Sequence, residues 1–134
     1  MTGASLNSTE VQDMIRVVVV DDHPAVRLGL ADFLDAQDGL EIVGQAENGA
    51  QAVELSSSTA PDVVVMDIRM PELDGIEATR QIKQNRPETG VLLLTAYEED
   101  ELATAGRAAG ADAFFLKGIF GAELVDRVRE VNAA

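Results

Sequence analysis

The sequence predicts a single α/β domain built around a doubly wound parallel sheet. Five short apolar runs alternate with segments of helical periodicity, which is the pattern of repeated βα units. The runs are continuous in Val and Leu, and such strands are buried on both faces because helices cover both sides of a parallel sheet. With 134 residues, 46% of them hydrophobic, the chain can bury a core without disulfides or structural metal.

The strands are predicted from the apolar runs, and the helices from apolar residues at helical spacing with suitable residues at their ends. Pro24 suits a first helical turn, where its missing N–H costs nothing. Asp74 followed by Glu77 resembles a capping box. The last helix has an apolar stripe on one face, formed by Leu124, Val125, Val128 and Val131. In chain order, the predicted elements are a strand at 15–20, a helix at 24–36, a strand at 41–46, a helix at 50–57, a strand at 63–66, a helix at 75–84, a strand at 91–94, a helix at 98–109, a strand at 113–116 and a helix at 122–131.

The first 13 residues differ from the rest in being polar, rich in Ser and Thr and without a sustained period. We therefore predict a disordered N-terminal extension over residues 1–13 and one folded domain over residues 14–134.

Four of the apolar runs end on residues suited to phosphoryl chemistry. Asp21 and Asp22 follow the first run, Asp67 the third, Thr95 the fourth and Lys117 the fifth. Because the carboxyl ends of parallel strands lie along one edge of the sheet, these side chains are expected to meet in one crevice. That crevice is the predicted functional site.

Composition excludes several function classes. The chain has 10 Lys and Arg residues against 24 Asp and Glu residues, a net charge of −14, which repels a nucleic-acid backbone. The absence of cysteine excludes a disulfide framework, a thiolate metal site and a cysteine nucleophile. No apolar stretch approaches the ~20 residues of a membrane span, and no secretion signal is evident. We expect a soluble cytoplasmic protein that does not itself bind nucleic acid or membranes.

Four motifs occur in the order and spacing of a known family. They are Val-Asp-Asp-His-Pro, Met-Asp-Ile-Arg-Met-Pro-Glu-Leu-Asp-Gly, Leu-Leu-Thr-Ala-Tyr and Phe-Leu-Lys. Over about residues 16–131 the chain resembles the receiver domain of bacterial two-component response regulators, and residues 21–30 are most similar to the NarL/FixJ branch. This resemblance implies a flavodoxin-like (βα)5 three-layer sandwich with the parallel strand order 2-1-3-4-5.

The resemblance implies that Asp67 accepts a phosphoryl group, and an aspartate can act as such a nucleophile. It assigns Mg²⁺ as the cofactor, with Asp22, Asp67 and the backbone carbonyl of Arg69 as ligands and Asp21 as a contact through water. The residues agree, because three crowded carboxylates are unfavourable unless a cation neutralises them, and hard oxygen ligands suit Mg²⁺.

Three further residues are implied to bind the phosphoryl group or to switch with it. Lys117 would give its oxygens a fixed positive charge and Thr95 a hydroxyl, and Tyr97 matches the switch aromatic of the family. Gly118 stands where many receivers carry a proline with a cis bond, so a trans link is expected after Lys117. His23 is interpreted as a loop residue before the first helix.

Two rival functions remain open from the sequence. A haloacid dehalogenase-like phosphohydrolase also uses an aspartate at a strand end, but such enzymes carry a second aspartate where this chain has Arg69. A pseudo-receiver that only mediates assembly is favoured by Gly118 alone. We expect a signalling domain rather than an enzyme, limited to self-catalysed phosphotransfer and dephosphorylation.

The resemblance also implies partners. A sensor histidine kinase would donate the phosphoryl group, and phosphorylation would promote a homodimer. The dimer would form through the fourth and fifth helices with the last strand, or through the first and fifth helices. Transcription would be controlled by a C-terminal helix-turn-helix of a parent protein, absent from this chain, which would make the only contacts with DNA.

Overall fold

The computed structural model describes residues 14–96 and 100–133, so both the predicted extension at 1–13 and Tyr97 lie outside the described residues. Each predicted element is present, with described ends that differ from the predicted ones by at most two residues, and the predicted start of the fourth helix at 98 lies outside the described residues. The strands are β1 (Ile15–Val20), β2 (Leu40–Ala46), β3 (Val63–Asp67), β4 (Gly90–Thr95) and β5 (Ala113–Leu116). The helices are α1 (Pro24–Asp35), α2 (Gly49–Thr59), α3 (Gly75–Asn85), α4 (Asp100–Ala109) and α5 (Ala122–Ala133).

The five strands form one sheet in the order β2-β1-β3-β4-β5, and every neighbouring pair is parallel. The predicted fold class and strand order are therefore confirmed. The order reverses between β1 and β3, and open α/β sheets bind ligands in the crevice outside the carboxyl ends of the strands at such a reversal. The topology alone thus directs attention to the ends of β1 and β3.

The side chains of the continuous apolar runs contribute to two separate hydrophobic cores, one on each face of the sheet. Alternate residues point to opposite faces, so Val17 and Val19 pack with α1 and α5, whereas Val18 and Val20 pack with α2, α3 and α4. Each buried Val or Leu contributes roughly 1.5–3 kcal/mol relative to leaving it exposed. The strands that lead to the site are therefore anchored by burial on both faces of the sheet.

The loop between β3 and α3 is held at two close approaches of backbone. The Gly75 N–H donates to the Ile68 carbonyl at 2.8 Å, and the Gly49 N–H donates to the Leu73 carbonyl at 3.1 Å. A Cβ at Gly75 would lie 2.3 Å from the Asp67 carbonyl oxygen, and one at Gly49 would lie 2.1 Å from the Leu73 carbonyl oxygen. Only glycine fits at these two positions, since the closest atoms are backbone.

The helix ends agree with the local sequence signals. Asp74 precedes α3 and its side chain accepts a hydrogen bond from the Glu77 N–H at 2.9 Å, which is the predicted cap. Asn48 caps α2 in the same way through the Gln51 N–H. Pro24 occupies the first turn of α1. Among the described residues, no helix combines the length and the apolar character needed to cross a membrane.

Candidate functional site

The strand register aligns the polar residues at one edge of the sheet. Val20, the last residue of β1, pairs with Met66 of β3, so Asp21 lies beside Asp67. Thr95, the last residue of β4, pairs with the residue before Lys117. The predicted crevice therefore exists, and its side chains come from the ends of four neighbouring strands.

Asp67 and Lys117 form the centre of the crevice. Lys117 Nζ donates to Asp67 Oδ2 at 2.8 Å, and only 6% of the Asp67 side chain is exposed. Burial raises the pKa of Asp67, although the hydrogen bond and charge of Lys117 oppose this. Burial lowers the pKa of Lys117, but hydrogen bonds to Asp67 and Asp21 and their charges outweigh it and raise the pKa overall. The lysine is therefore a fixed positive charge facing a carboxylate that is costly to ionise.

Asp21 and Asp22 complete what we call the acidic pocket, formed by Asp21, Asp22 and Asp67. Asp21 is fully buried and Lys117 Nζ lies 3.1 Å from its Oδ2. The His23 N–H donates to Asp21 Oδ1 at 2.8 Å, and Arg27 donates to the Asp21 carbonyl at 3.0 Å. Asp22 is 29% exposed at the mouth of the pocket. The two neighbouring carboxylates thus have different depths.

The acidic pocket has the donor set of a divalent cation site. One potential ligand atom from each of Asp21, Asp22, His23 and Asp67 lies within 4.8 Å of the others. Within the described part of the chain, Asp21 Oδ2 and Asp22 Oδ1 are buried without a hydrogen bond. Lys117 Nζ lies 3.1 Å from Asp21 Oδ2, and His23 Nδ1 lies 3.2 Å from Asp22 Oδ1. Buried carboxylate oxygens that lack hydrogen bonds are nevertheless costly, and a cation would lower that cost. Carboxylate oxygens are hard ligands, so these residues fit Mg²⁺.

Thr95 and Arg69 lie against the same crevice. Both line a cavity of about 210 Å³ together with His23, Asp67 and Lys117. Thr95 is only partly buried at the end of its strand. A hydrogen bond from the Arg69 backbone to Asp67 lowers the pKa of that carboxyl, against the larger effect of burial. Tyr97, the predicted switch residue, lies outside the described residues.

The segment after Lys117 is free of the cis geometry that a proline there would favour. Gly118 has φ of +87°, and no cis peptide bond occurs in residues 14–96 or 100–133. Lys117 reaches Asp67 and Asp21 with this glycine in place. The glycine therefore does not prevent the lysine from reaching the acidic pocket.

Two site residues were missed by sequence reasoning. The His23 ring, interpreted as part of a loop, places Nδ1 3.2 Å from both Asp21 Oδ1 and Asp22 Oδ1. Leu102 of α4 lines the cavity beside Asp67 and also a neighbouring one of about 360 Å³ next to Asp22. Adjacency to the aspartates was a signal for His23, whereas Leu102 has none because its position depends on helix packing.

Comparisons with known sequences agree with this geometry. A family model described as the response regulator receiver domain matches residues 17–129. The chain is 43% identical over 120 residues to the response regulator GacA of Pseudomonas viridiflava, covering 90% of this chain and 56% of that protein. It is 41% identical over 119 residues to the transcriptional regulatory protein LiaR of Bacillus subtilis, covering 89% and 56%. The chain thus spans little more than half the length of these curated relatives.

Solved structures give the same result. The signal receiver domain of NarL from Mycobacterium tuberculosis matches with a TM-score of 0.86 at 34% identity, covering 91% of this chain and 98% of that one. A LuxR-family two-component response regulator from Aurantimonas sp. SI85-9A1 matches with a TM-score of 0.84 at 35% identity, covering 90% and 86%.

Proposed function

Because the chain belongs to the family of response regulator receiver domains, of the NarL/LuxR type, we propose that it accepts a phosphoryl group on Asp67 from a sensor histidine kinase, with Mg²⁺ bound beside it. The observation that carries this proposal is the buried carboxylate of Asp67, which faces both the Lys117 ammonium and a second buried carboxylate, that of Asp21. A signalling domain with this site is a phosphoryl acceptor rather than a classical enzyme.

In the proposed reaction an Asp67 carboxylate oxygen attacks the phosphorus of a phosphohistidine. A P–O bond forms, the P–N bond breaks, and the electron pair of that bond returns to the imidazole nitrogen of the kinase. Asp67 reacts in its ionised form, which the neighbouring Lys117 favours against the effect of burial. The product is an acyl phosphate at the end of a central strand.

For the cation we propose Asp22, Asp67 and the backbone carbonyl of Arg69 as direct ligands and Asp21 as a contact through water. The buried oxygens of the acidic pocket that lack hydrogen bonds support this proposal. When bound, Mg²⁺ would neutralise charge on the carboxylates and on the transferring phosphoryl oxygens.

The proposed switch uses Lys117, Thr95 and Tyr97. Lys117 exchanges its hydrogen bond to Asp67 for one to a phosphoryl oxygen, and the Thr95 hydroxyl moves to donate to the same group. Tyr97 follows Thr95 inward. Driving a two-state equilibrium from 1:99 to 99:1 needs about 5.5 kcal/mol, a scale that several charge-assisted hydrogen bonds can reach.

The proposed output is a change in self-association in the cytoplasm. Phosphorylation would stabilise a homodimer through either α4, β5 and α5 or α1 and α5. The curated relatives extend well beyond the matched region, and one of them is named as a transcriptional regulatory protein. We propose that a helix-turn-helix in a longer parent protein contacts DNA and converts dimerisation into control of transcription.

The test is incubation with acetyl phosphate and Mg²⁺, followed by intact-mass measurement. We expect one phosphoryl adduct per chain in the wild type and none in Asp67→Asn or after chelation with EDTA. Asp62→Asn is the matched control, because Asp62 precedes the same strand at its opposite end and accepts a hydrogen bond from the Arg16 N–H. An adduct that persists in Asp67→Asn would contradict the proposal. Rapid multiple turnover of acetyl phosphate would indicate a hydrolase, and a wild type without any adduct would indicate a pseudo-receiver.

A further inference from the structure

His23 is the only histidine of the chain, and its ring turns toward the acidic pocket. The residue precedes α1 as its N-cap, but its side chain makes no capping hydrogen bond. Pro24 follows at the first helical turn, and the His23 N–H is held by Asp21 Oδ1 at 2.8 Å. The backbone is therefore fixed on both sides, while the imidazole is not used by the helix.

The distances around His23 Nδ1 match those between ligands of one ion. Nδ1 lies 3.2 Å from Asp21 Oδ1 and 3.2 Å from Asp22 Oδ1. Two adjacent ligands of an octahedral ion with bonds of about 2.1 Å are separated by about 3.0 Å. The nitrogen and Asp22 Oδ1 are thus spaced as neighbouring direct ligands, and Asp21 Oδ1 lies equally close to the nitrogen.

The partners of Nδ1 make conflicting demands on it. Lys117 Nζ lies 3.3 Å from Nδ1, and an ammonium has only N–H donors, so this contact needs a lone pair on Nδ1. The contact with Asp21 Oδ1 needs an N–H on the same atom, because an ionised carboxylate only accepts. One nitrogen cannot meet both demands at once. A metal ion would resolve the conflict, since imidazole and carboxylates all offer it electron pairs.

Independent support comes from the buried oxygen of Asp21. The Asp21 side chain is fully buried, and its Oδ2 has no hydrogen bond within the described residues. Lys117 Nζ lies 3.1 Å from this oxygen, which leaves the oxygen a further lone pair to offer a cation in the pocket.

We propose that His23 Nδ1 is a nitrogen ligand in the same cation site as the acidic pocket, so that the site also takes a divalent transition ion such as Zn²⁺. This inference rests on the proposed function only in treating the acidic pocket as a divalent cation site. Imidazole suits Zn²⁺ and other transition ions, whereas Mg²⁺ prefers oxygen. The identity of the bound ion would then depend on which metals the cell supplies.

The direct test is NMR of tag-free protein labelled with ¹⁵N at histidine and titrated with Zn²⁺. Because the chain has one histidine, every imidazole signal belongs to His23. We expect the Nδ1 resonance to move to the position of a metal-bound nitrogen, saturating at one Zn²⁺ per site, and to stay unchanged in Asp67→Asn at the same Zn²⁺ concentration. A free-imidazole spectrum in wild-type protein saturated with Zn²⁺ would overturn the inference.

Calorimetry provides the second readout. We expect His23→Gln to weaken Zn²⁺ binding by about tenfold or more, the scale on which groups around a metal act, and to weaken Mg²⁺ binding by a smaller factor, because Mg²⁺ prefers oxygen ligands. Glu123→Gln, which removes an exposed carboxylate from the first turn of α5, is the matched control and should leave both affinities unchanged. Equal Zn²⁺ affinity in wild type and His23→Gln would overturn the inference.

The two proposals fail in different ways. If a Mg²⁺-dependent adduct forms on Asp67 while the His23 signals ignore Zn²⁺, only the nitrogen ligand is wrong. If His23 binds Zn²⁺ and no adduct forms on Asp67, the metal site stands and phosphoryl acceptance is wrong.

Discussion

Two lysine–aspartate pairs lie at opposite edges of the sheet with the same separation. At the amino edge Lys83 Nζ is 2.8 Å from Asp112 Oδ2, and at the carboxyl edge Lys117 Nζ is 2.8 Å from Asp67 Oδ2. The two lysines are equally covered, but 30% of the Asp112 side chain is exposed against 6% for Asp67. The distance between the two charges therefore does not distinguish the roles of the two pairs. The surroundings of each aspartate do.

At the amino edge, polar side chains are used by the fold. Asp112 Oδ2 also accepts from the Val91 N–H at 2.8 Å, which begins the pairing of β4. Thr89 is fully buried and donates to the Pro61 carbonyl at 2.9 Å. The Arg16 side chain donates to the carbonyl of Thr59, the last residue of α2, and to the carbonyl of Ala60, which follows it. Each of these groups satisfies backbone that would otherwise lack a partner.

At the carboxyl edge, carboxylates are instead crowded together and their oxygens are incompletely paired. Burial and the neighbouring charge of Asp21 both raise the pKa of Asp67. The comparison teaches that an aspartate stabilises the fold where backbone N–H groups and a lysine pair its oxygens. Where some of its oxygens lack hydrogen bonds, the same residue type is available to bind a ligand.

The largest expected effect separates the two lysines by function. Lys117→Gln should slow formation of the acetyl phosphate adduct by about 10²-fold, because one positively charged donor to the phosphoryl oxygens is lost. Lys83→Gln, the matched change at the amino edge, should leave the rate unchanged. Intact-mass time courses of both variants measure this, and equal slowing in the two variants would remove the functional distinction between the pairs.

The next effect is on stability at the amino edge. Asp112→Ala should lower the free energy of unfolding by about 1–3 kcal/mol, because the Val91 N–H loses its acceptor and Lys83 its partner. Asp112→Asn, which keeps an oxygen acceptor, should cost less. Urea unfolding measures both changes, and adduct formation should be normal. An Asp112→Ala protein as stable as the wild type would show that Asp112 does not stabilise the amino edge of the sheet.

A smaller change of opposite sign is expected for Asp67→Asn in metal-free buffer. Burial raises the pKa of Asp67 above its ordinary value of 3.8. The contribution of this carboxyl to the free energy of unfolding is therefore fully favourable below pH 3.8, and it is lost as the pH rises through the folded-state pKa. Asparagine should therefore increase the free energy of unfolding at pH 7, and the gain should shrink as pH falls toward 3.8. Urea unfolding in EDTA across this range tests the sign. Lower stability of Asp67→Asn at neutral pH would contradict the argument.

The smallest expected effect on stability concerns a residue that lies away from both edges of the sheet. Ser56 of α2 is buried and its hydroxyl has no hydrogen bond within the described residues. Ser56→Ala should raise the free energy of unfolding by about 0.5–1 kcal/mol, since an unsatisfied hydroxyl is removed and alanine is the better helix former. The neighbouring exposed Ser57→Ala controls for helix propensity alone. Equal gains from both changes would mean that the buried hydroxyl carries no penalty.

The sequence predicted the sheet and most of the crevice for a physical reason. Apolar runs specify buried parallel strands, and parallel strands bring Asp21, Asp67, Thr95 and Lys117 to one edge whatever the loops do. The site roles of these residues remain proposals. The register shift between β1 and β2, where Val17 pairs with Ile42 and Val18 with Gly44, could not be predicted, because a run of four valines carries no register signal.

The side chains that depend on turns and on packing were beyond sequence reasoning. The direction of the His23 ring follows from the hydrogen bond between its N–H and Asp21, together with the rotamer it adopts. Leu102 reaches the crevice because α4 packs against the face of the sheet that holds Leu93. Neither the direction of the His23 ring nor the position of Leu102 can be predicted from the spacing or the composition of residues in the sequence.

Gly75 has a mechanical consequence for the domain. Its Cα rests against the peptide of Asp67, and the Gly49–Leu73 hydrogen bond holds the same loop from the side of α2. These contacts hold the backbone behind the Asp67 carboxylate in place. A side chain at position 75 would therefore displace the Asp67 backbone, and with it the carboxylate, from its place beside Lys117.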